Sequence, residues 1–197
     1  MTAATLHQLP TSDQIRIAAC ELFCRKGYKG VGMRSIADAV GIGAGSLYNH
    51  IVSKQALLYE LISSHELNLL WLLKSKKLTR AKTSSQLVAA LWEQFETYVT
   101  ENKNMTLLAR TELCHLTENQ AREISTLRSN RVAELRRLLS RMPDSGLGEQ
   151  GLKDVSEELY TLLECNANLI ADESGDANKF VRRQIRNMAS MLMVKRD

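Results

Sequence analysis

Apolar residues recur three and four positions apart along most of this 197-residue chain, which is the spacing of one face of an α-helix. Near the N-terminus the stripes predict helices over about 12–27, 33–40 and 45–51, and a much longer helix from residue 54 into the seventies. Five later stripes predict helices around 87–99, 105–116, 117–139, 152–170 and 180–192. No segment alternates apolar and polar residues as a strand does. The sequence therefore predicts an all-α protein of about nine helices.

Side chains that can cap helix ends support several of these boundaries. Thr11 with Gln14, and Thr117 with Gln120, have the spacing of a capping box, in which each side chain accepts a hydrogen bond from the other residue's N–H. Ser53 has a side chain that can accept a hydrogen bond from the first turn of the fourth helix. We therefore expect capped helix starts at these three places.

The basic residues are concentrated near the N-terminus. The chain has a formal net charge of +4, and residues 1–54 hold six basic residues against three acidic ones. A locally basic region favours a polyanionic partner such as nucleic acid. We expect an N-terminal domain over 1–55 and a C-terminal domain over 56–197.

Several classes of site lack support in the sequence. No apolar run approaches the ~20 residues needed to span a bilayer, and the first ten residues do not resemble a secretory signal, so we expect a cytoplasmic protein. The cysteines at 20, 24, 114 and 165 include no Cys-x-x-Cys pair, and buried free thiols are favoured over a zinc site, with a redox pair as the alternative. Nucleophile motifs, paired carboxylates and phosphate-binding glycine loops are also lacking. We predict no enzyme activity, no metal and no cofactor.

The glycine-rich stretch over 41–43 separates two short predicted helices, an arrangement typical of a helix-turn-helix. Gly41 supplies the backbone freedom that a tight turn needs. Small residues at the start of the second helix allow a DNA strand to approach closely, and the polar side chains suit phosphates and base edges. For Arg34 and Asn49, simple exposure to solvent is the alternative. The predicted DNA-binding residues are Arg34, Gly43, Ala44, Gly45, Ser46, Tyr48, Asn49, His50 and Lys54.

Several spaced motifs agree in order and separation with those of a known family. They are Gly27-Tyr28, Met33-Arg34-Ser35-Ile36-Ala37, Val40-Gly41-Ile42, Gly45-Ser46-Leu47-Tyr48-Asn49-His50 and Ser53-Lys54 with Leu57-Leu58. Over about residues 12–60 the chain resembles the N-terminal helix-turn-helix domain of the TetR family of transcriptional regulators. It departs from the family pattern at Val31-Gly32, where hydroxyl residues usually precede the second helix, and at Ile51, which is usually phenylalanine. A helical hairpin with no DNA role is the alternative for this segment.

The resemblance implies a variable C-terminal domain that binds an effector and forms a homodimer through its last two helices. It also implies a repressor that a small-molecule effector releases from a pseudo-palindromic DNA operator. Asn166 lies on the apolar stripe of the second-last helix, where it either sets the register of a dimer or bonds within one subunit. The alternatives are a helical carrier or enzyme that does not bind DNA, and a regulator that acts by protein contact alone.

We expect the effector pocket between the fourth helix and the helices over 84–116. An apolar lining suits a largely apolar effector, and Arg110 or His115 could meet an acidic group on it. Apolar stripes at helical spacing more often form ordinary core, so packing is the alternative role for the apolar candidates. For Arg110 the alternative is a surface ion pair with Glu112 or Glu101. The candidates are Leu69, Trp92, Phe95, Tyr98, Met105, Leu108, Arg110, Leu113 and His115.

Overall fold

The computed structural model describes residues 8–171 together with Arg183 and Asn187, except for the side chains of residues 166 and 168–171. Within these residues every regular element is helical, which confirms the all-α prediction. The helices are α1 (Thr11–Lys26), α2 (Met33–Val40), α3 (Ala44–Leu47), α4 (Lys54–Leu73), α5 (Lys76–Thr79), α6 (Ser84–Glu101), α7 (Lys103–Thr111), α8 (Glu118–Ser140) and α9 (Glu149–Ala171), with a short 3-10 helix at Leu113–His115. Among the described helices, none combines the length and the apolar character needed to cross a bilayer. The predicted helix over 180–192 and the side chain of Asn166 lie outside the described residues.

Two of the predicted helix caps are confirmed. The Thr117 N–H donates to Gln120 Oε1 at 3.0 Å, and the Gln120 N–H donates to Thr117 Oγ1 at 3.3 Å, which completes the capping box before α8. The Ala56 N–H donates to Ser53 Oγ at 3.0 Å at the start of α4. Both helices therefore begin where side-chain oxygens accept otherwise unpaired N–H groups.

The predicted capping box at Thr11 is wrong. Pro10 occupies the cap position with a φ of −51°, and Thr11 is already part of α1. Proline has no N–H, so the Gln14 side chain cannot accept a hydrogen bond from the backbone of the cap residue. The Gln14 amide instead donates to the Leu9 carbonyl at 2.8 Å.

Two helix boundaries also differ from the prediction. α3 ends at Leu47 rather than near residue 51, because the Asn49 and His50 N–H groups donate three residues back, at 3.2 and 3.0 Å, and tighten the backbone into turns. α5 is a single turn, too short to produce an apolar period, and Ser75 Oγ caps it by accepting from the Leu78 N–H at 3.4 Å.

The chain separates into two compact units: unit 1 is Met1–His65 with Asn104–Ile124, and unit 2 is Glu66–Lys103 with Ser125–Asp197. Unit 1 packs α1, α2, α3 and the first part of α4 around an apolar core. Burying one large apolar side chain contributes about 1.5–3 kcal/mol to the free energy of unfolding. The fully buried large side chains of this core include Ile15, Phe23, Ile36, Leu47, Leu57 and Leu58.

Unit 2 has its own core, built from the second part of α4 with α6, α8 and α9. Its buried side chains include Leu73, Leu87, Leu91, Val99, Leu138 and Leu159. Asp144, in the loop before α9, accepts hydrogen bonds from the Ser84 backbone N–H at 2.9 Å and from the Ser84 hydroxyl at 3.0 Å. This carboxylate ties the start of α6 to that loop.

Candidate nucleic-acid interface and cavity

The turn between α2 and α3 has the geometry that its glycine predicts. Gly41 ends α2 with a φ of 76°, in the left-handed region that favours glycine. The Ile42 N–H donates to Ala37 O at 3.0 Å, and the Gly41 N–H donates to Asp38 O at 3.2 Å. These two bonds form a Schellman motif, which stops the helix abruptly and redirects the chain. α3 therefore leaves the turn at an angle set by the backbone of Gly41.

α3 and the turn after it present a polar surface anchored by a single apolar side chain. Leu47 is fully buried and is the buried residue of α3, whereas Tyr48 is 56% exposed. Gly43 and Ala44, at the start of the helix, are exposed and half-buried, respectively. We call the exposed group of Gly45, Ser46, Tyr48, Asn49 and His50 the α3 face.

Gly45 has no structural reason to be glycine within its own chain. A methyl group built at this position meets no atom within 4 Å, and the backbone φ is not in the left-handed region. Because Gly45 has no side chain, another molecule can come close to the backbone at this position on the protein surface.

The start of α2 lacks the hydroxyl side chain that the family pattern has before this helix, where this chain has Val31-Gly32. Gly32 occupies the cap position, and no side chain accepts a hydrogen bond from the first turn. Arg34, one residue into the helix, is exposed. The loss of the hydroxyl cap leaves N–H groups of the first turn open to water or to a bound anion.

Lys54, at the start of α4, holds the loop between α1 and α2. Its ammonium donates to Tyr28 O at 2.9 Å and to Val31 O at 2.8 Å, and it lies 4.3 Å from the centre of the Tyr28 ring. An ammonium has three protons to donate, so one remains for a further acceptor. Sequence reasoning assigned this residue to phosphate contact alone and missed its role inside unit 1.

Tyr28 lies at the centre of a small aromatic group in the same unit. Its ring is 5.5 Å from the Phe23 ring and stacks on the His115 ring at 5.1 Å. The Tyr28 hydroxyl donates to Gln55 Oε1 at 2.9 Å, and burial raises the pKa of this phenol. His115, a predicted pocket residue, is thus a packing partner of the loop beside the helix-turn-helix.

Unit 2 contains a small, partly open cavity. Its lining is mainly leucine, with Leu69 and Phe95 from the predicted set, and its polar side chains come from α6, α8 and α9. The remaining lining residues are Leu72, Leu73, Leu91, Gln94, Arg131, Leu135, Tyr160, Leu163 and Glu164. The mixture of many apolar and few polar groups is typical of a small-molecule site.

The other predicted pocket residues are distributed over both units. Trp92 and Tyr98 belong to the hydrophobic cluster of unit 2, and burial raises the pKa of Tyr98 to about 12. Five belong to unit 1: Leu108 is fully buried, Arg110 is exposed, and Met105, Leu113 and His115 are half-buried.

Two of the cavity's polar residues, Arg131 and Glu164, belong to a largely buried ionic network that the sequence did not reveal. Arg131 Nη2 lies 2.7 Å from Glu66 Oε2, and Arg131 Nη1 lies 2.9 Å from Glu164 Oε1. Arg128 Nε donates to Glu66 Oε1 at 2.8 Å. These residues come from α4, α8 and α9, so their sequence separations gave no signal, although the i, i+3 spacing of the two arginines places them on one face of α8.

The cysteines are free, and only part of the expectation for them holds. Cys20 is buried and Cys24 is half-buried, but Cys114 and Cys165 are exposed, so the prediction of buried thiols is wrong for these two. The Cys24 thiol donates to Asn104 O at 3.0 Å. A hydrogen bond between the thiols of Cys20 and Cys24 raises the pKa of Cys20, as burial also does, and lowers that of Cys24. Within the described residues, no group of three or more metal-ligating side chains could hold an ion.

Two short helices joined by a glycine turn and packed on α1 define unit 1 as a helix-turn-helix domain. Residues 15–61 match the family described as bacterial regulatory proteins, tetR family. The HTH-type transcriptional regulator UidR of Escherichia coli (strain K12) is 38% identical over 53 residues, which are 27% of this chain and 27% of UidR. The match thus spans about a quarter of that curated relative. The match over residues 15–61 confirms the resemblance predicted over about 12–60.

Solved structures share the fold over nearly the whole length. A bacterial regulatory protein in the tetR family from Rhodococcus RHA1 matches with a TM-score of 0.78 at 18% identity, covering 93% of this chain and 97% of that one. AibR, in complex with isovaleryl coenzyme A and operator DNA, matches with a TM-score of 0.71 at 19% identity, covering 93% and 98%. At these identities the likeness shows the fold.

Proposed function

We propose that this chain is a TetR-type transcriptional regulator that binds double-stranded DNA, acts as a repressor and is released by a small-molecule effector. The observation that carries the proposal is the α3 face, polar and exposed on one side and anchored by Leu47 on the other. The family match of residues 15–61 supports it. So does the fold shared with AibR, which was solved with both operator DNA and an acyl-CoA.

In this proposal α3 lies in the major groove, as the second helix of a helix-turn-helix does. Gly45 lets a DNA strand approach the backbone, and Tyr48 and His50 donate to phosphates. Asn49 reaches a base edge, where a side-chain amide can pair with adenine. Lys54 contacts a phosphate with the proton that the loop carbonyls leave available. Arg34 and the uncapped first turn of α2 supply a second phosphate contact.

We assign DNA recognition to residues 1–55 and effector binding and dimerisation to 56–197. Two copies of the helix-turn-helix in a homodimer would read a pseudo-palindromic operator with half-sites about 34–36 Å apart. The half-buried Leu152, Val155 and Leu162 of α9 leave apolar surface for a partner helix. Such a regulator works in the cytoplasm, with its DNA, and has no enzyme activity.

An effector can release DNA only if part of the protein has two arrangements, one favoured by DNA and the other by the effector. α4 is continuous from Lys54, beside the helix-turn-helix, to Leu69 and Leu73, which line the cavity. We infer that effector binding tilts this helix and changes the separation of the two DNA-reading motifs in the dimer. A cross-link that immobilises α4 should abolish release while leaving effector affinity intact. Release that persists in the cross-linked protein would contradict the tilt.

The experiment that tests DNA binding is a salt titration. An operator is first selected from random duplexes, and the dissociation constant is then measured by fluorescence anisotropy between about 50 and 200 mM salt. Each neutralised phosphate steepens the slope of log K against log salt by about 0.9, so we expect a strong loss of affinity as salt rises. Replacing Lys54 with methionine should reduce that slope by about 1 if it contacts a phosphate.

A helical carrier that does not bind DNA is the second candidate, and the cavity of unit 2 favours it. This alternative predicts ligand binding without any operator. Selection that yields no duplex, or affinity that does not change with salt, would support the carrier and contradict the regulator.

A further inference from the structure

Residues 74–82 of unit 2 form a strongly basic segment that the proposed DNA contacts do not use. These nine residues include four lysines and one arginine and no acidic residue, and all five cations are exposed. The segment is more densely charged than residues 1–54, which hold six basic residues against three acidic ones. A block of like charges this dense favours a partner of opposite charge.

The basic segment is folded and held against unit 2. Ser75 Oγ caps α5, and the Leu78 side chain of this helix is fully buried. Because the backbone is already ordered, a partner that binds the cations has little backbone entropy to remove. Within the described part of the chain, Lys76, Arg80 and Lys82 form no ion pair, so their charges are available to another molecule.

The end of α8 extends the same basic surface. A hydrogen bond from Arg137 lowers the pKa of Glu134, and the nearby charges of Lys74 and Arg141 lower it further. Lys74, just after α4, and Arg141, just after α8, therefore lie near one carboxylate. We call the exposed cations of this surface the α5 patch: Lys74, Lys76, Lys77, Arg80, Lys82, Arg137 and Arg141.

The α5 patch suits a phosphate backbone better than a protein or a membrane. Glu93 and Glu134 are the carboxylates that pair with its members, so a large excess of positive charge remains. Trp71 and Leu67 are exposed on the adjoining helix, and the Lys74 ammonium lies 5.1 Å from the centre of the Trp71 ring. Two side chains are too few for the apolar core of a protein interface or the wide apolar face of a membrane-bound helix. Phosphate binding needs neither, because its free energy comes mainly from released counterions.

Building on the proposed function, we propose that the α5 patch binds the phosphate backbone of a second DNA duplex without reading its sequence. α4 rises about 30 Å over its 20 residues, so Lys54 at its start and Lys74 just beyond its end contact different DNA segments. Lysine acts toward phosphate as a point charge, which carries no information about the bases. A dimer on its operator would thus hold two separate DNA segments together.

The test uses the full-length protein bound to a surface-attached operator, so that the helix-turn-helix motifs of the dimer are already occupied. A labelled duplex of unrelated sequence is then added, and its capture is measured between about 50 and 200 mM salt. We expect a dissociation constant of about 10⁻⁴–10⁻⁶ M that weakens as salt rises. Absence of capture, or capture that does not change with salt, would overturn the proposal. So would phosphatidylglycerol vesicles that bind the operator-bound protein while the duplex does not.

Protein variants locate the second duplex. Replacing Lys76, Arg80 and Lys82 together with glutamine should weaken capture at least 10-fold and leave operator affinity and unfolding like those of the parent. For a matched pair of single variants, Lys76→Gln should reduce the salt slope of capture by about 0.9. Lys153→Gln, which removes an exposed lysine of α9 outside the patch, should leave that slope unchanged. Equal slopes in these two variants, or parental capture by the triple variant, would contradict the proposal.

A variant in which Tyr48, Asn49 and His50 are all alanine separates this inference from the proposed function. It should lose the operator but still bind the unrelated duplex through the α5 patch. A protein that binds its operator and captures no second duplex would disprove this inference and leave the regulator intact. A protein that selects no operator but binds duplexes through the α5 patch would disprove the regulator and leave this inference standing.

Discussion

Unit 1 and unit 2 use their polar residues in opposite ways. The side chains of the α3 face of unit 1 are exposed in the part of the chain that the structure describes, so another molecule can reach them. The ionic network of unit 2 is largely buried, with Glu66 1% exposed and Arg131 4% exposed, and its members bind one another. We therefore expect the α3 face to contribute to recognition without stabilising the fold, and the ionic network of unit 2 to stabilise it.

This contrast has a physical consequence for mutation. Exposed residues away from caps and strained backbone change the free energy of unfolding by at most about 0.5 kcal/mol. A buried ion pair that loses one partner leaves the other charge uncompensated. Substitutions in the α3 face should thus separate binding from stability, and substitutions in the ionic network of unit 2 should lower stability.

The largest expected effect is in unit 2. Glu66→Gln removes the carboxylate charge shared by Arg128 and Arg131 and should lower the free energy of unfolding by about 3–5 kcal/mol. Urea unfolding followed by circular dichroism measures it. The control is Glu93→Gln, which breaks an exposed pair with Lys77 and should cost no more than about 1 kcal/mol. Equal losses in the two variants would show that the buried network has no special importance.

Smaller effects on stability are expected at two glycines of unit 1, Gly41 and Gly45, and they should differ between the two positions. Gly41→Ala places a side chain in the left-handed region, at a φ of 76°, and should cost about 1–2 kcal/mol of stability. Gly45→Ala meets no atom within 4 Å and should raise stability slightly, because alanine favours the helix more than glycine does, while weakening operator binding. Thermal unfolding and anisotropy are measured on both variants. If Gly45→Ala kept full operator affinity, close approach of DNA at this residue would be excluded.

The smallest expected effect is at the start of α2. Gly32→Ser supplies the hydroxyl cap that this helix lacks and should raise the free energy of unfolding by a few tenths of a kcal/mol. Val52→Ser introduces the same side chain at a highly exposed position outside the helices and serves as the control. A loss of stability in Gly32→Ser would mean that the serine cannot adopt the cap geometry.

The same contrast explains what could be predicted from the sequence. The helix-turn-helix was recognisable because Gly41, Leu47 and the polar residues between 45 and 50 lie close together along the chain, where spacing alone determines which face each residue occupies. The apolar periods also predicted most of the helices. They missed α5, which is a single turn. The prediction also made α3 too long, because the end of this helix depends on local hydrogen bonds.

The cavity could not be predicted in the same way. Glu66, Arg131 and Glu164 meet across three helices, and each one alone has the appearance of a solvated charge on a helical surface. Lys54 was placed correctly at the start of α4, but its bonds to Tyr28 O and Val31 O depend on the path of a loop. Such contacts follow from tertiary packing, and no short-range spacing encodes them.

The central claim is that the α3 face recognises DNA while Leu47 holds it in place. The most direct test is the affinity for the selected operator of a variant in which Tyr48, Asn49 and His50 are all alanine. A matched control replaces Ser85, Thr97 and Thr100, exposed residues of unit 2, with alanine. We predict at least a 100-fold loss of affinity, about 2.7 kcal/mol, for the first variant with unfolding like the parent, and no loss for the control. Parental affinity in the first variant would contradict the account.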